Sequence, residues 1–230
     1  MRKFFLFLLL PFVGCTATQK IGYKTSDLEV KQPVKTIPIR VDIRIFEDNR
    51  TAFEANGILF EKPRQVVIEK KNYCINSEKH YAKKDTVVTQ LTRLMTDHFN
   101  QAQLFEKAFY GNSNQSDYYL TGTLNSFYGK QEFSKRAAVG AQFGLIGAMA
   151  TSGAKTPGEI VIELADIRLY KKDGTLVKDF GTFYKEYNDD FSADAYCWCI
   201  YWNMNAMLMD FNTQLVEKIK TEMADFLSFR

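Results

Sequence analysis

The feature that most limits how this chain can fold is its start. Met1-Arg2-Lys3 leads into Phe4-Phe5-Leu6-Phe7-Leu8-Leu9-Leu10-Pro11-Phe12-Val13-Gly14, and then Cys15. Two positive charges, a short apolar run and a small residue at the cut describe a secretory signal peptide, removed from the mature protein. The run is too short to cross a bilayer as a helix, which needs ~20 apolar residues. The core is therefore expected to come from the residues beyond Cys15, in a compartment that permits disulfides.

Phe12-Val13-Gly14-Cys15 resembles the lipobox of bacterial lipoproteins, with Phe12 where Leu is usual. The resemblance implies that the Cys15 thiol carries diacylglycerol and that the chain is cut before it. Several acyl chains together then give stable anchoring, whereas one holds a protein only marginally. The alternative is an ordinary signal peptide with an incidental cysteine. Thr16 stands where an acidic residue would resemble an inner-membrane retention signal, and no acidic cluster comes after Cys15. The expected address is the outer membrane, on its periplasmic side.

Taking Arg2 and Lys3 from the 30 basic residues leaves 28 against 27 acidic ones, so the mature chain is nearly neutral. That removes any bulk electrostatic case for nucleic acid. Residues 1–14 are assigned to the signal peptide and 15–33 to the lipidated cysteine and a polar tether without periodicity. Residues 34–230 form one domain, long enough to build a real core.

Ile37, Ile39, Val41, Ile43 and Ile45 alternate with polar neighbours, the pattern of a strand with one buried face. Short strands are predicted at 57–60 and 65–68. A helix comes next, capped by Asp85, with Val87, Val88, Leu91, Leu94, Met95 and Phe99 at helical spacing. Leu104, Phe105 and Phe109 carry apolar content into a turn near Gly111. A long strand rich in aromatic and β-branched residues covers 117–129. Two more, 160–170 and 175–184, flank the hairpin dipeptide Asp173-Gly174. Asp189 and Asp190 are read as helix-capping residues in a loop. The final helix spans roughly 193–229, with Met204, Leu208, Phe211, Leu215, Ile219, Met223 and Phe226 in one stripe. This order predicts an α+β domain: a mostly antiparallel sheet with two main helices packed on it.

The segment 137–154 breaks the pattern, because it is apolar, rich in Gly and Ala, and uncharged. Gly140 and Gly144 have the spacing that lets helices approach closely. Burial in the core is the plainest expectation, yet Gly and Ala bury little area at ~25 cal/mol per Å². Contact with a partner or a second copy through Gly140, Phe143, Gly144 and Gly147 ranks close behind, and insertion into the bilayer third.

No catalytic or phosphate-binding motif is found, and no cofactor is implied. Of the two histidines, His80 sits among lysines and His98 on the first helix; both are expected to be structural. Among the cysteines left after Cys15, a disulfide from Cys74 to Cys197 or Cys199 is favoured over a metal site, because neither histidine has zinc-finger spacing from the Cys-x-Cys pair.

Val41-Asp42-Ile43-Arg44-Ile45-Phe46-Glu47-Asp48-Asn49-Arg50, the helix with Leu91 and Leu94, and Asp117-Tyr118-Tyr119-Leu120-Thr121-Gly122-Thr123-Leu124 together resemble the auxiliary lipoproteins of envelope ABC-type transporters and the related YajG-like lipoproteins. The resemblance implies a non-enzymatic accessory role in transport or envelope assembly, exerted through contacts with an envelope protein. The alternatives are a lipoprotein binding lipid or another hydrophobic ligand, and an oligomeric structural subunit using residues 137–150.

Overall fold

The computed structural model describes residues 21–24, 36–50, 52–55, 58–61, 73–75, 87–144, 147, 151, 153–193 and 199–224. The elements are β1 (Ile37–Ile43), β2 (Glu47–Asp48), β3 (Ala52–Ala55), β4 (Ile58–Glu61), β5 (Tyr73–Ile75), α1 (Val87–Gln101), β6 (Phe105–Tyr110), β7 (Tyr118–Glu132), α2 (Lys135–Gln142), β8 (Lys155–Lys171), β9 (Leu176–Ser192) and α3 (Cys199–Glu222). The fold is α+β, with α1 and α3 packed on a sheet ordered β6-β1-β7-β8-β9; β2 and β5 also pair with β7. The predicted strand at 65–68 and His80 lie outside the described residues.

The sheet is mixed: most of its paired residues are antiparallel, as expected, and β1 and β2 supply the parallel part. β1 runs parallel to β6 on one side and to β7 on the other. The alternation in β1 sets its buried face, with Ile37, Val41 and Ile43 fully enclosed, but carries no information on strand direction. Direction comes from the connections. α1 lies between β1 and β6 in the chain, and a helical crossover returns the chain in the same sense. The seven-residue link from β6 to β7 then passes the end of β1. There the amide of Gly111 donates to the Ile43 carbonyl (2.8 Å) and that of Ser113 to Asp42 Oδ2 (2.8 Å).

β6 corrects the sequence pattern, which runs 104–109 into a turn. Asn100, near the end of α1, completes this edge strand by hydrogen-bonding both backbone groups of Ala108: Nδ2 donates to the carbonyl (2.9 Å) and Oδ1 accepts from the amide (3.0 Å). The other half of the sheet is the antiparallel meander β7–β8–β9, turning at Asp173-Gly174 as predicted, with Gly174 at φ +90°. β9 continues to Ser192, so Asp189 and Asp190 pair in its ladder opposite Gly158 and Pro157 and do not cap a helix. The signal fails there because Asn188, Asp189 and Asp190 are all exposed near the end of this edge strand and break its alternation.

α3 buries the predicted stripe Met204, Leu208, Phe211, Leu215, Ile219 and Met223 against β7 and β9. It approaches β7 closely at Gly129, where a Cβ would lie 2.7 Å from Met204 Sδ. With Phe99, Leu104 and Phe127 these side chains form one core, each large one stabilising by about 1.5–3 kcal/mol.

Candidate functional site

The strands give the molecule two distinct ends. At one, β7 finishes, α2 begins, β8 starts, β9 finishes and α3 begins. Side chains tie this end together: Gln131 Nε2 donates to the carbonyls of Phe191 (2.9 Å) and Ser192 (2.8 Å), and Asn203 Nδ2 donates to Ser192 as well (2.9 Å). At the opposite end lie the Asp173-Gly174 turn and the C-terminus of α3.

Ile21, Gly22 and Tyr23, in the stretch expected to be a polar tether, are docked on the domain. The Ile21 amide donates to Gln90 Oε1 on α1 (3.3 Å), and the Gly22 amide to Asn205 Oδ1 on α3 (3.0 Å). Ile21 is itself buried. The Tyr23 hydroxyl then lies between His98 Nδ1 (2.7 Å) and Asn212 Nδ2 (2.6 Å), further along both helices. Residues 21–23 thus run in the direction of α1 and α3, with Ile21 nearer the starts of both helices. Ile21-Gly22-Tyr23 is missed by the sequence reading because three residues cannot show a period; an apolar residue and a tyrosine in a polar stretch are the whole signal.

The chemistry of this clasp is specific. Asn212 Nδ2 donates to the tyrosine oxygen. With the imidazole proton on Nε2, His98 Nδ1 accepts the single hydroxyl proton of Tyr23. Burial enforces the neutral form, lowering the imidazole to about 4. Burial also pushes the Tyr23 phenol well above its ordinary value, against the lowering effect of the Asn212 bond. All three groups are held in charge states that need no solvent. The expectation of a structural His98 agrees with this arrangement.

The second feature is the α2 segment. Ser134 caps α2, its Oγ accepting from the Ala137 amide (3.1 Å). After Phe143 the chain reverses, with Gly144 at φ +65°, and Gly147 returns against Gly140. A Cβ at Gly147 would lie 2.0 Å from the Gly140 carbonyl oxygen, and one at Gly140 would lie 2.5 Å from the Thr151 side chain. Thr151 closes the return turn by bonding the Gly147 carbonyl through its amide (3.1 Å) and hydroxyl (3.0 Å). Of the four predicted contact residues, Gly140 and Gly147 are therefore occupied in packing the segment on itself. Phe143 and Gly144 lie outside. Phe143 is 73% exposed and Val139 55%. With Lys135 and Arg136 they border a shallow concavity of about 700 Å³. Trp202, on the first turn of α3 at this same end, is 60% exposed.

The remaining predicted residues divide. Cys199 is buried at the start of α3; the Cys74 and Cys197 side chains, with which the expected disulfide would be made, and Cys15 lie outside the described residues. Among the described residues no cluster of His, Cys, Asp and Glu could hold a metal ion, and no helix is long and apolar enough to cross a membrane.

A third surface, on the sheet face away from α1 and α3, is not singled out by the sequence. Near the start of β7, the Arg44 guanidinium sits 3.4 Å above the Tyr119 ring, which stacks on Tyr170 at 5.1 Å. Arg168 beside them bonds Asp179 (2.9 Å) and Asp166 (2.8 Å).

The class defined by these features is an α+β domain with a docked N-terminal segment and an exposed apolar turn at the same end. No family model and no curated protein matches the chain. Among solved structures it is similar to protein XCC0632 from Xanthomonas campestris, described by the family model DUF330. The identity is 10%, the match covers 90% of this chain and 96% of that one, and the TM-score is 0.49.

Proposed function

We propose that this protein is a lipid-anchored lipoprotein of the cell envelope, on the periplasmic side of the outer membrane, with a non-enzymatic accessory role in transport or envelope assembly. It acts by holding another envelope protein. The anchor is argued from the signal peptide and the lipobox-like Phe12-Val13-Gly14-Cys15. The observation that carries the protein-contact reading is the Arg44–Tyr119–Tyr170 stack. Tyrosine and arginine are the residue types enriched where one protein recognises another. Here both are held rigid by stacking, so little side-chain freedom is lost on binding.

The test is a quantitative pull-down from detergent-solubilised membranes, comparing wild type with the double substitution Arg44→Ala/Tyr119→Ala at equal folded abundance. A partner retained by the wild type and lost from the variant supports the reading. Identical sets of bound proteins would sink it.

A further inference from the structure

We propose that the α2 end of the molecule seats on the lipid leaflet that holds the Cys15 anchor. Phe143, Val139 and Trp202 lie in the interfacial layer, and Lys135 and Arg136 against anionic headgroups. This inference rests on the lipoprotein reading above.

The first support is the path of the chain. Ile21 is fixed in the groove between α1 and α3, and the direction of its segment leads back toward the α2 end. Ile21 lies six residue steps beyond Cys15. Fully extended, they reach about 20 Å. β8 alone, 17 residues long, extends about 55 Å at ~3.3 Å per residue. While the clasp is closed, an anchored Cys15 brings only the α2 end to the membrane; the Asp173-Gly174 end is out of reach.

The second support is what that end displays. The segment 137–154 carries no charged residue. Its small residues pack inward, Gly140 on Gly147 and Thr151, and turn Val139 and Phe143 outward. An apolar side chain and an aromatic ring above two exposed cations match the interface between acyl chains and headgroups. Tryptophan favours the same layer, its ring amphipathic at headgroup level. The acids at this end, Glu132, Asp189 and Asp190, belong to the strands and not to the α2 segment.

The experiment uses protein purified from its own membranes and reconstituted into vesicles of phosphatidylethanolamine and phosphatidylglycerol with brominated acyl chains. Trp202 fluorescence is read in a Trp198→Phe background. Bromine quenching should fall at least twofold with Val139→Ser/Phe143→Ser. It should also fall with Lys135→Glu/Arg136→Glu, more at low salt than at high salt. All four side chains are exposed, so circular dichroism and the thermal midpoint should stay at the parent's values. Intact mass of the same sample reads the Cys15 modification separately. A lipidated protein with unquenched Trp202 overturns the seating and leaves the lipoprotein reading standing; an unmodified Cys15 overturns both. An unquenched Trp202 with a doubled mass by light scattering would give the apolar turn to a second copy instead, and equally overturns it.

Discussion

The groove between α1 and α3 and the turn after α2 use their residues in opposite ways. In the groove the domain covers its own surface: Ile21 is buried, and the Tyr23 hydroxyl bridges His98 and Asn212 away from water. At the turn, glycines that could have received another helix receive their own chain, and Val139 and Phe143 face out. Apolar content alone therefore does not say where a segment goes.

Four perturbations should sharpen that contrast. The largest effect is expected from Phe211→Ala on α3, which empties a fully buried site packed on Phe183 at 4.8 Å. A loss of about 3–5 kcal/mol in urea unfolding is expected.

Acid comes next. Unfolded histidine takes up its proton near 6.5, whereas His98 in the fold does so near 4. Between those values the unfolded chain binds more protons. The contribution is thus fully present above pH ~6.5 and is lost as pH falls toward 4, a change of up to about 3 kcal/mol. Because Tyr23 covers His98, the first sign should be faster amide exchange at residues 21–24. A His98→Gln variant should lose this pH dependence.

Tyr23→Phe ranks third, with an expected cost of about 1–3 kcal/mol from leaving His98 Nδ1 and Asn212 Nδ2 buried and unpaired. Limited proteolysis should cut the N-terminal segment while the sheet survives. The smallest effect belongs to Phe143→Ser, which should stay within about 0.5 kcal/mol because its ring is already in solvent. A loss comparable to that of Phe211→Ala would mean the turn is core and would erase the contrast.

The legible parts of the sequence are those whose interactions are periodic. α1, β7, the β8–β9 hairpin and α3 each bury a stripe or a face, and the helical spacing of Met204 through Met223 was enough to locate α3. β6 was not legible: Phe105 and Ala108 are its buried residues, and Asn100 on the preceding helix supplies the hydrogen bonds of a missing neighbour. The parallel pairing of β1 was hidden because burial alternates identically in either direction. At the candidate site the uncharged segment stood out, but its inward and outward residues depended on a chain reversal. The clasp rests on single contacts among Tyr23, His98 and Asn212, distant in sequence.

The position of β1 also sets an order of events. It is the first strand in the chain, yet both its neighbours, β6 and β7, come long after it: Val41 pairs with Ala108 and with Tyr118. Closing so long a loop delays those pairings, whereas β8 and β9 are joined by the short turn 172–175. During synthesis the newly made β1 waits with Ile37, Ile39, Val41 and Ile43 exposed and both edges open. That interval is when the chain is most prone to aggregate.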